Sequence, residues 1–302
     1  MFGRAFGWLV TRLPRRLALA FFGGLGVLAY ALHVRRRVVM DNLRLAFPEK
    51  GEEERRAIAR AAYRRLGEMI PEFLRVPRLS SAELEEIFEY EGWDRFLEAL
   101  AAGRGVIACT AHFGNFDLLA AAHNLRGVPM TIVARQLRLG IWRSTRARSG
   151  VETLYVRPGE TLSAAVRALR AGRVLGYVID QSEPNRNAIY PSFFGVPVAT
   201  AATPAVLARR TGAPVFFIVS LPLPGGRHRV VVEGPLHPLD TGDWERDVLA
   251  FVQDLNDRLE RWVRRHPEHW YWLHRRWKRR RAPAGAAAPG PAASPPPPPA
   301  SH

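Results

Sequence analysis

An α/β fold, with a mixed and largely parallel sheet flanked by helices and an N-terminal membrane-associated helix, is the architecture that this 302-residue sequence predicts. Three observations carry it. Short apolar runs alternate with longer amphipathic stretches, the pattern of strand, helix, strand units. At 47% hydrophobic and 24% charged residues, the chain can bury a sizeable core. An uncharged stretch at 17–32 stands between arginines at 15 and 16 and at 35–37.

Taken in order, the stretch 17–32 would be about 24 Å long as a helix, short of the ~30 Å hydrocarbon core of a bilayer. Its arginine flanks suit phosphate head groups. Because they lie on both sides, they give no orientation across a membrane. Residues 1–37 are therefore expected to form a membrane anchor, either spanning or lying in the interface, with the body on the cytoplasmic side. Residues 52–74 read as a charged helix with Ile58, Ala62, Leu66, Met69 and Phe73 at helical spacing, and Trp93–Ala101 as a shorter one. Strands are expected at Val106–Thr110, Met130–Ala134, 174–179, 215–220 and 229–233, with helices at 161–171, 201–210 and Trp244–Arg265 between or after them. Nothing within 38–281 resembles a linker or a repeat, so that span is expected to be one domain. Residues 282–302, with eight Pro and eight Ala, read as a disordered or polyproline tail.

The formal net charge of +16 is carried almost wholly by arginine, the only lysines being Lys50 and Lys278. Residues 1–37 hold +7 and residues 258–281 hold +8, leaving the body nearly neutral. Basic ends imply an anionic partner. The closing run, with Trp270, Trp272 and Trp277 among cations, suits either single-stranded nucleic acid or the head-group level of a bilayer. The apolar stretch at 17–32 favours the membrane over nucleic acid. A single cysteine, Cys109, excludes an internal disulfide framework and a Cys-rich metal centre, and indicates a reducing compartment.

The chemistry-bearing stretch follows the first strand: Thr110-Ala111-His112-Phe113-Gly114-Asn115-Phe116-Asp117. A histidine at a strand's carboxyl end sits where open α/β sheets place their ligands. In a continuous helix Asp117 would lie roughly 140° around from His112, so the two meet only if the chain bends, which Gly114 permits. Asn115 can cap the following helix, leaving Asp117 in its first turn. Asp117 would then hold one imidazole nitrogen and leave the other free as a base. The bland alternative is a packed loop histidine beside a helix-start acid. Cys109, three residues before His112, raises covalent catalysis, but a thiol inside an apolar strand is expected to be inert. His266, His269 and His274 lack neighbouring cysteines or clustered carboxylates, and read as surface residues rather than metal ligands.

This stretch resembles the H-x4-D/E motif of the glycerolipid and lysophospholipid acyltransferase superfamily, and further blocks narrow the resemblance to the bacterial lipid A late (lauroyl and myristoyl) acyltransferases. Arg37 to Pro48 resembles their R…NL..AFP block. Arg135 follows the second strand as in their V-Y-R block, although Ala134 replaces the usual aromatic. Asp180-Gln181 ends a strand, Phe193-Phe194-Gly195 is similar to their PFFG loop, and His269 to Lys278 resembles their closing signature. The likeness spans about residues 8–281.

The resemblance implies a glycerolipid acyltransferase-like fold and an O-acyltransferase that needs no metal and no organic cofactor. The donor would be an acyl thioester on acyl carrier protein or CoA. The acceptor would be a hydroxyl of a lipid A precursor or another anionic glycolipid, at the cytoplasmic face of the cell inner membrane. His112 would be the general base and Asp117 its partner. Arg135, Asp180, Gln181, Phe193, Phe194 and Gly195 would contact substrate, with Gly114 and Arg135 as oxyanion donors. Asp180 at a strand end also reads as a simple turn residue, and the two phenylalanines as simple packing. The same superfamily includes acyltransferases acting on phosphatidylinositol mannoside or lysophospholipids, and Asp117 in place of Glu does not choose among them.

Overall fold

The computed structural model describes residues 7, 10–134, 140–157, 160–183 and 188–280. Arg135 and the segment 282–302 lie outside them. The chain begins with helix α1 (Arg15–Ala31), turns by 88° into α2 (Arg36–Ala46), and continues into the long α3 (Glu52–Arg75) and the short α4 (Ser81–Glu86). Then come β1 (Phe88–Glu91), α5 (Trp93–Ala101), β2 (Val106–Thr110), α6 (Phe116–Leu125), β3 (Met130–Ala134), α7 (Gly140–Arg148), β4 (Glu152–Tyr155), α8 (Thr161–Arg170) and β5 (Val174–Val178). A hairpin of β6 (Ser192–Phe193) and β7 (Val196–Pro197) precedes α9 (Thr203–Thr211), β8 (Val215–Pro222), β9 (His228–Leu236) and α10 (Trp244–Arg265).

Seven strands form one sheet in the order β1-β9-β8-β2-β5-β3-β4, parallel throughout except for the β8–β9 pair. The expected α/β class is observed. Parallel strands demand helical crossovers, and each crossover buries an apolar helix stripe on the sheet. Alternate residues of β2 consequently serve two cores: Ile107 and Cys109 join the cluster under α9 and α10, while Val106 and Ala108 join the cluster under α5 and α6. The strands β1 and β4 were not expected. Phe88-Glu89-Tyr90-Glu91 and Glu152-Thr153-Leu154-Tyr155 sit at the two sheet edges, where one side is open to water and charged residues are tolerated.

The N-terminal helix α1 is packed on α3 at very short range. A side chain on Gly26 would collide with the Tyr63 carbonyl, and one on Gly67 with the Phe22 carbonyl. Ala18 and Phe22 are buried in this contact, whereas Leu17, Phe21, Leu25, Leu28 and Leu32 form an exposed stripe on the opposite face. Among the described residues no single helix is long and apolar enough to cross a membrane. Arg15 at the start of α1 reaches the protein's interior, donating to Glu72 Oε1 at 2.8 Å and to the Gly226 carbonyl at 2.5 Å.

Candidate active site

His112 sits just past the carboxyl end of β2, as its place after an apolar strand predicts. Gly114 shapes the loop that follows. It has φ +57°, and any Cβ there would collide with the Ser220 carbonyl of β8. This bend, which the sequence anticipates, lets α6 start afresh. Asn115 caps it by accepting from the Leu118 N–H at 3.2 Å, and Asp117 falls in its first turn.

The partner of the imidazole is Asp180. Its Oδ1 lies 2.8 Å from His112 Nδ1, and its Oδ2 accepts from the His112 backbone N–H at 3.0 Å and from Trp270 Nε1 at 2.8 Å. An ionised carboxylate can only accept, so Nδ1 carries the proton and Nε2 of the neutral ring is the basic lone pair. Gln181 Nε2 lies 3.4 Å from that Nε2. The Asp180 side chain is fully buried while His112 retains 19% exposure, so the carboxylate is shielded and the base is reachable. Burial opposes the charged imidazolium, but the charge of Asp180 and its hydrogen bond outweigh this, and the His112 pKa is raised above its ordinary value. Burial also opposes the Asp180 carboxylate, yet His112, His274 and Trp270 together hold its pKa well below the usual range.

Asp117 makes a different set of bonds. Its Oδ1 accepts from Arg146 Nε at 3.0 Å and Nη2 at 2.5 Å, and its Oδ2 from Trp142 Nε1 at 2.6 Å. The expectation that Asp117 holds an imidazole nitrogen is thus corrected: that contact belongs to Asp180, and Asp117 ties α6 to α7. The physical reason is direction. Asp117 lies in the first turn of α6 over α7, whereas β5 is hydrogen-bonded beside β2 and delivers Asp180 straight to the His112 ring.

Other expected site residues are placed as follows. The N–H of Gly114 donates to the His269 carbonyl at 2.9 Å, so it is not free as an oxyanion donor. Phe193 and Phe194 are buried in the core. Phe193 stacks on Trp277 and meets Trp270 edge-on, Phe194 packs on Phe47 and Trp277, and neither walls the cavity at His112. Cys109 faces the core away from α6, and burial pushes its thiol far up, where it is protonated and inert.

The closing segment contains the residues that sequence reading placed wrongly. Trp270, Trp272 and Trp277 are buried, not at a membrane surface, and His269 and His274 are half-buried rather than on the open surface. The segment wraps the His112 loop: Tyr271 N–H donates to the His112 carbonyl at 2.9 Å, and His274 Nε2 lies 2.9 Å from the Asp180 carbonyl. Arg276, fully buried, donates to the Gln181 and Ala199 carbonyls at 3.1 and 2.9 Å and to Thr200 Oγ1 at 2.7 Å. Burial lowers its pKa to about 10, which still leaves it charged at neutral pH. A wide spacing of cations with tryptophans carries no sign of burial, so only the pairing of Asp180 with a strand end at the sheet edge of His112 hinted at this arrangement.

His112 and Asp117 line one large cavity of about 1540 Å³, whose walls are mostly apolar and which runs beneath α6. Glu72 lines it as well. Burial opposes ionisation there, but His228, Arg15 and Asn115 together hold the Glu72 pKa down, at about 2. Asn115 Nδ2 donates to Glu72 at 3.1 Å, so the cap of α6 is tied through Glu72 to Arg15 of α1.

A buried acid, a histidine with its outer nitrogen exposed and a large apolar cavity together make a site for activating a hydroxyl beside an aliphatic chain. Comparison with known proteins agrees. Residues 1–279 match the family model described as bacterial lipid A biosynthesis acyltransferase. The lipid A biosynthesis palmitoleoyltransferase of Escherichia coli strain K12 is 28% identical over 286 residues, covering 92% of this chain and 90% of the relative. The lauroyltransferase of the same strain is 27% identical, covering 90% and 89%. A phosphatidylinositol mannoside acyltransferase of Mycolicibacterium smegmatis is 28% identical, covering 91% and 90%. With a family model matched over nearly its whole length, the chain belongs to the bacterial lipid A biosynthesis acyltransferase family and is an acyl-transferring enzyme.

Proposed function

We propose that the protein transfers a fatty acyl group from an acyl thioester, on acyl carrier protein or CoA, to a hydroxyl of a lipid A precursor, with His112 as general base. The observation that carries this reading is the His112–Asp180 pair opening onto the apolar cavity. His112 Nε2 takes the proton of the acceptor hydroxyl as its oxygen bonds to the thioester carbonyl carbon. The tetrahedral oxyanion then collapses, the C–S bond breaks, and the imidazolium returns the proton to the leaving thiolate. Asp180 stabilises the imidazolium between these steps, a task for which a buried carboxylate on Nδ1 is well suited. Asp117 acts through Arg146 and Trp142 by fixing α6 and α7 around the cavity, and its charge adds to the field that favours the imidazolium. Arg135 is the proposed donor to the oxyanion.

The exposed stripe from Leu17 to Leu32 supports placement of the enzyme on the cytoplasmic face of the inner membrane, with α1 lying in the interface and the exposed Arg16, Arg35 and Arg37 among anionic head groups. Mass spectrometry of lipid A from cells with and without the gene tests the acceptor. Loss of one secondary acyl chain is expected in its absence. An unchanged lipid A together with altered phosphatidylinositol mannosides or lysophospholipids would move the protein to another acceptor.

A further inference from the structure

The closing segment turns its tryptophans inward and its cations outward. Trp272 and Trp277 are buried, whereas Arg275, Lys278, Arg279 and Arg280 are exposed. Among the described residues, the side chains of Arg275, Lys278 and Arg280 have no hydrogen-bond partner and no carboxylate partner. Exposed arginines of α2 and α3 differ, since Arg37, Arg56 and Arg65 pair with Asp41, Glu53 and Glu68 at 3.9, 2.7 and 2.8 Å. The closing segment thus carries a stripe of uncompensated positive charge.

This stripe borders the catalytic base. His274 Nε2 lies 2.9 Å from the Asp180 carbonyl, Arg276 donates to the Gln181 carbonyl at 3.1 Å, and Arg279 donates to the Glu183 carbonyl at 3.2 Å. Residues 274–279 therefore run alongside 180–183. Gln181, Ser182 and Glu183 line the cavity, and Gln181 Nε2 is 3.4 Å from His112 Nε2. From Gln181 to Glu183 the chain advances two residues, at most about 7 Å. The cations stand at the rim where a thioester carbonyl must meet His112.

Size and shape choose the partner. A cavity of about 1540 Å³ admits an acyl chain and the arm that carries it, but a folded carrier protein has to rest on the rim. A compact phosphate cradle would draw on a buried cation aimed at the ligand. The buried cation of this segment, Arg276, is instead committed to the Gln181 and Ala199 carbonyls and to Thr200 Oγ1. Separate exposed cations along an extended segment match the spaced carboxylates of an acidic protein face.

We propose that Arg275, Lys278 and Arg280 form the docking surface for acyl carrier protein, a small and strongly acidic protein, and so make the carrier-bound thioester the preferred donor. This rests on the acyl-thioester reading above. The experiment uses the full chain in detergent with lipid A precursor as acceptor and one acyl chain presented on acyl carrier protein, on CoA and on pantetheine. Binding of carrier protein bearing the non-transferable thioether is measured alongside by fluorescence anisotropy. Each of Arg275→Glu, Lys278→Glu and Arg280→Glu is expected to raise KM for the carrier-bound donor by about fivefold at low salt with kcat retained, and to weaken thioether binding equally. The effect should shrink as salt screens the charges. KM for acyl-pantetheine should stay within about twofold, that for acyl-CoA should rise less than that for the carrier, and Arg104→Glu, the same charge change at the opposite edge of the sheet, should alter none of them. Thermal unfolding confirms that each variant is folded, and the three single reversals make the test independent of any one of them. Unchanged carrier binding in folded variants overturns the proposal, whether or not they lose binding to anionic vesicles. A loss on acyl-CoA as large as on the carrier also overturns it, by assigning the stripe to donor phosphates. A parent that binds the carrier thioether but transfers no acyl group from any donor overturns the acyltransferase mechanism, while the variants' binding still decides the docking surface.

Discussion

Two buried carboxylates stand near His112, and they do different work. Asp180 has an imidazole as the ionisable group on its side-chain oxygens, with a backbone N–H and an indole N–H completing the set. Asp117 is paired with a permanent cation, Arg146, and with the Trp142 indole. A carboxylate bonded to a histidine makes the imidazolium easier to form. One already neutralised by a guanidinium contributes only a weakened, more distant field. The difference teaches that five residues of sequence proximity mattered less than the pairing of β2 with β5, which brings Asp180 across 68 residues to the ring.

The largest expected effect removes the shared object of both carboxylates. His112→Ala should reduce transfer by about 10²–10⁴-fold with the fold retained, since general-base catalysis is worth about that much. Turnover of the purified variant within tenfold of the parent would break the base assignment. Asp180→Asn comes next, with an expected loss on the order of 10³-fold in kcat/KM, because the amide removes the charge that stabilises the imidazolium. Asp117→Asn should sharpen the contrast. Its main cost is expected in stability, about 3–5 kcal/mol for leaving the buried Arg146 without its counter-charge, read by denaturant unfolding, with a smaller loss of kcat/KM than Asp180→Asn. A folded, equally stable Asp117→Asn that is the more damaged in rate would reverse the roles. Trp270→Phe deletes one donor to Asp180, and about tenfold in kcat/KM is expected from a lost hydrogen bond to a buried charge. Cys109→Ala should change the rate least, by less than about threefold, with no acylated Cys109 peptide detectable by mass spectrometry.

Much of the fold was legible because it is written in local pattern. The strands β2 and β3 and the helices α5 and α10 fall where apolar periodicity puts them, since each buries a regular stripe. The edge strands were not legible, because a strand paired on one side tolerates the charges of Glu89, Glu91 and Glu152 that mask its period. At the site, His112, the Gly114 bend and the Asn115 cap were all readable, being consequences of neighbours in sequence. Asp180 was visible only as a polar residue at a strand end, and its bond to His112 depends on which strands pair. Trp270, His274 and Arg276 were misread for a related reason. Aromatic and basic residues look alike in sequence whether they coat a membrane or line an interior, and only the wrapping of the closing segment over the His112 loop separates the two.

The pH dependence of kcat/KM in the parent, Asp180→Asn and Asp117→Asn tests the division of labour most directly. The working base is neutral His112, so the rate rises with pH through the His112 pKa and then levels off. Because Asp180 above all raises that pKa, the parent's acidic limb should stand above the ordinary histidine value of 6.5. Removing the Asp180 charge should move the limb to lower pH, and removing the Asp117 charge should move it in the same direction by clearly less. A limb that falls in Asp117→Asn and stays in place in Asp180→Asn would contradict the account.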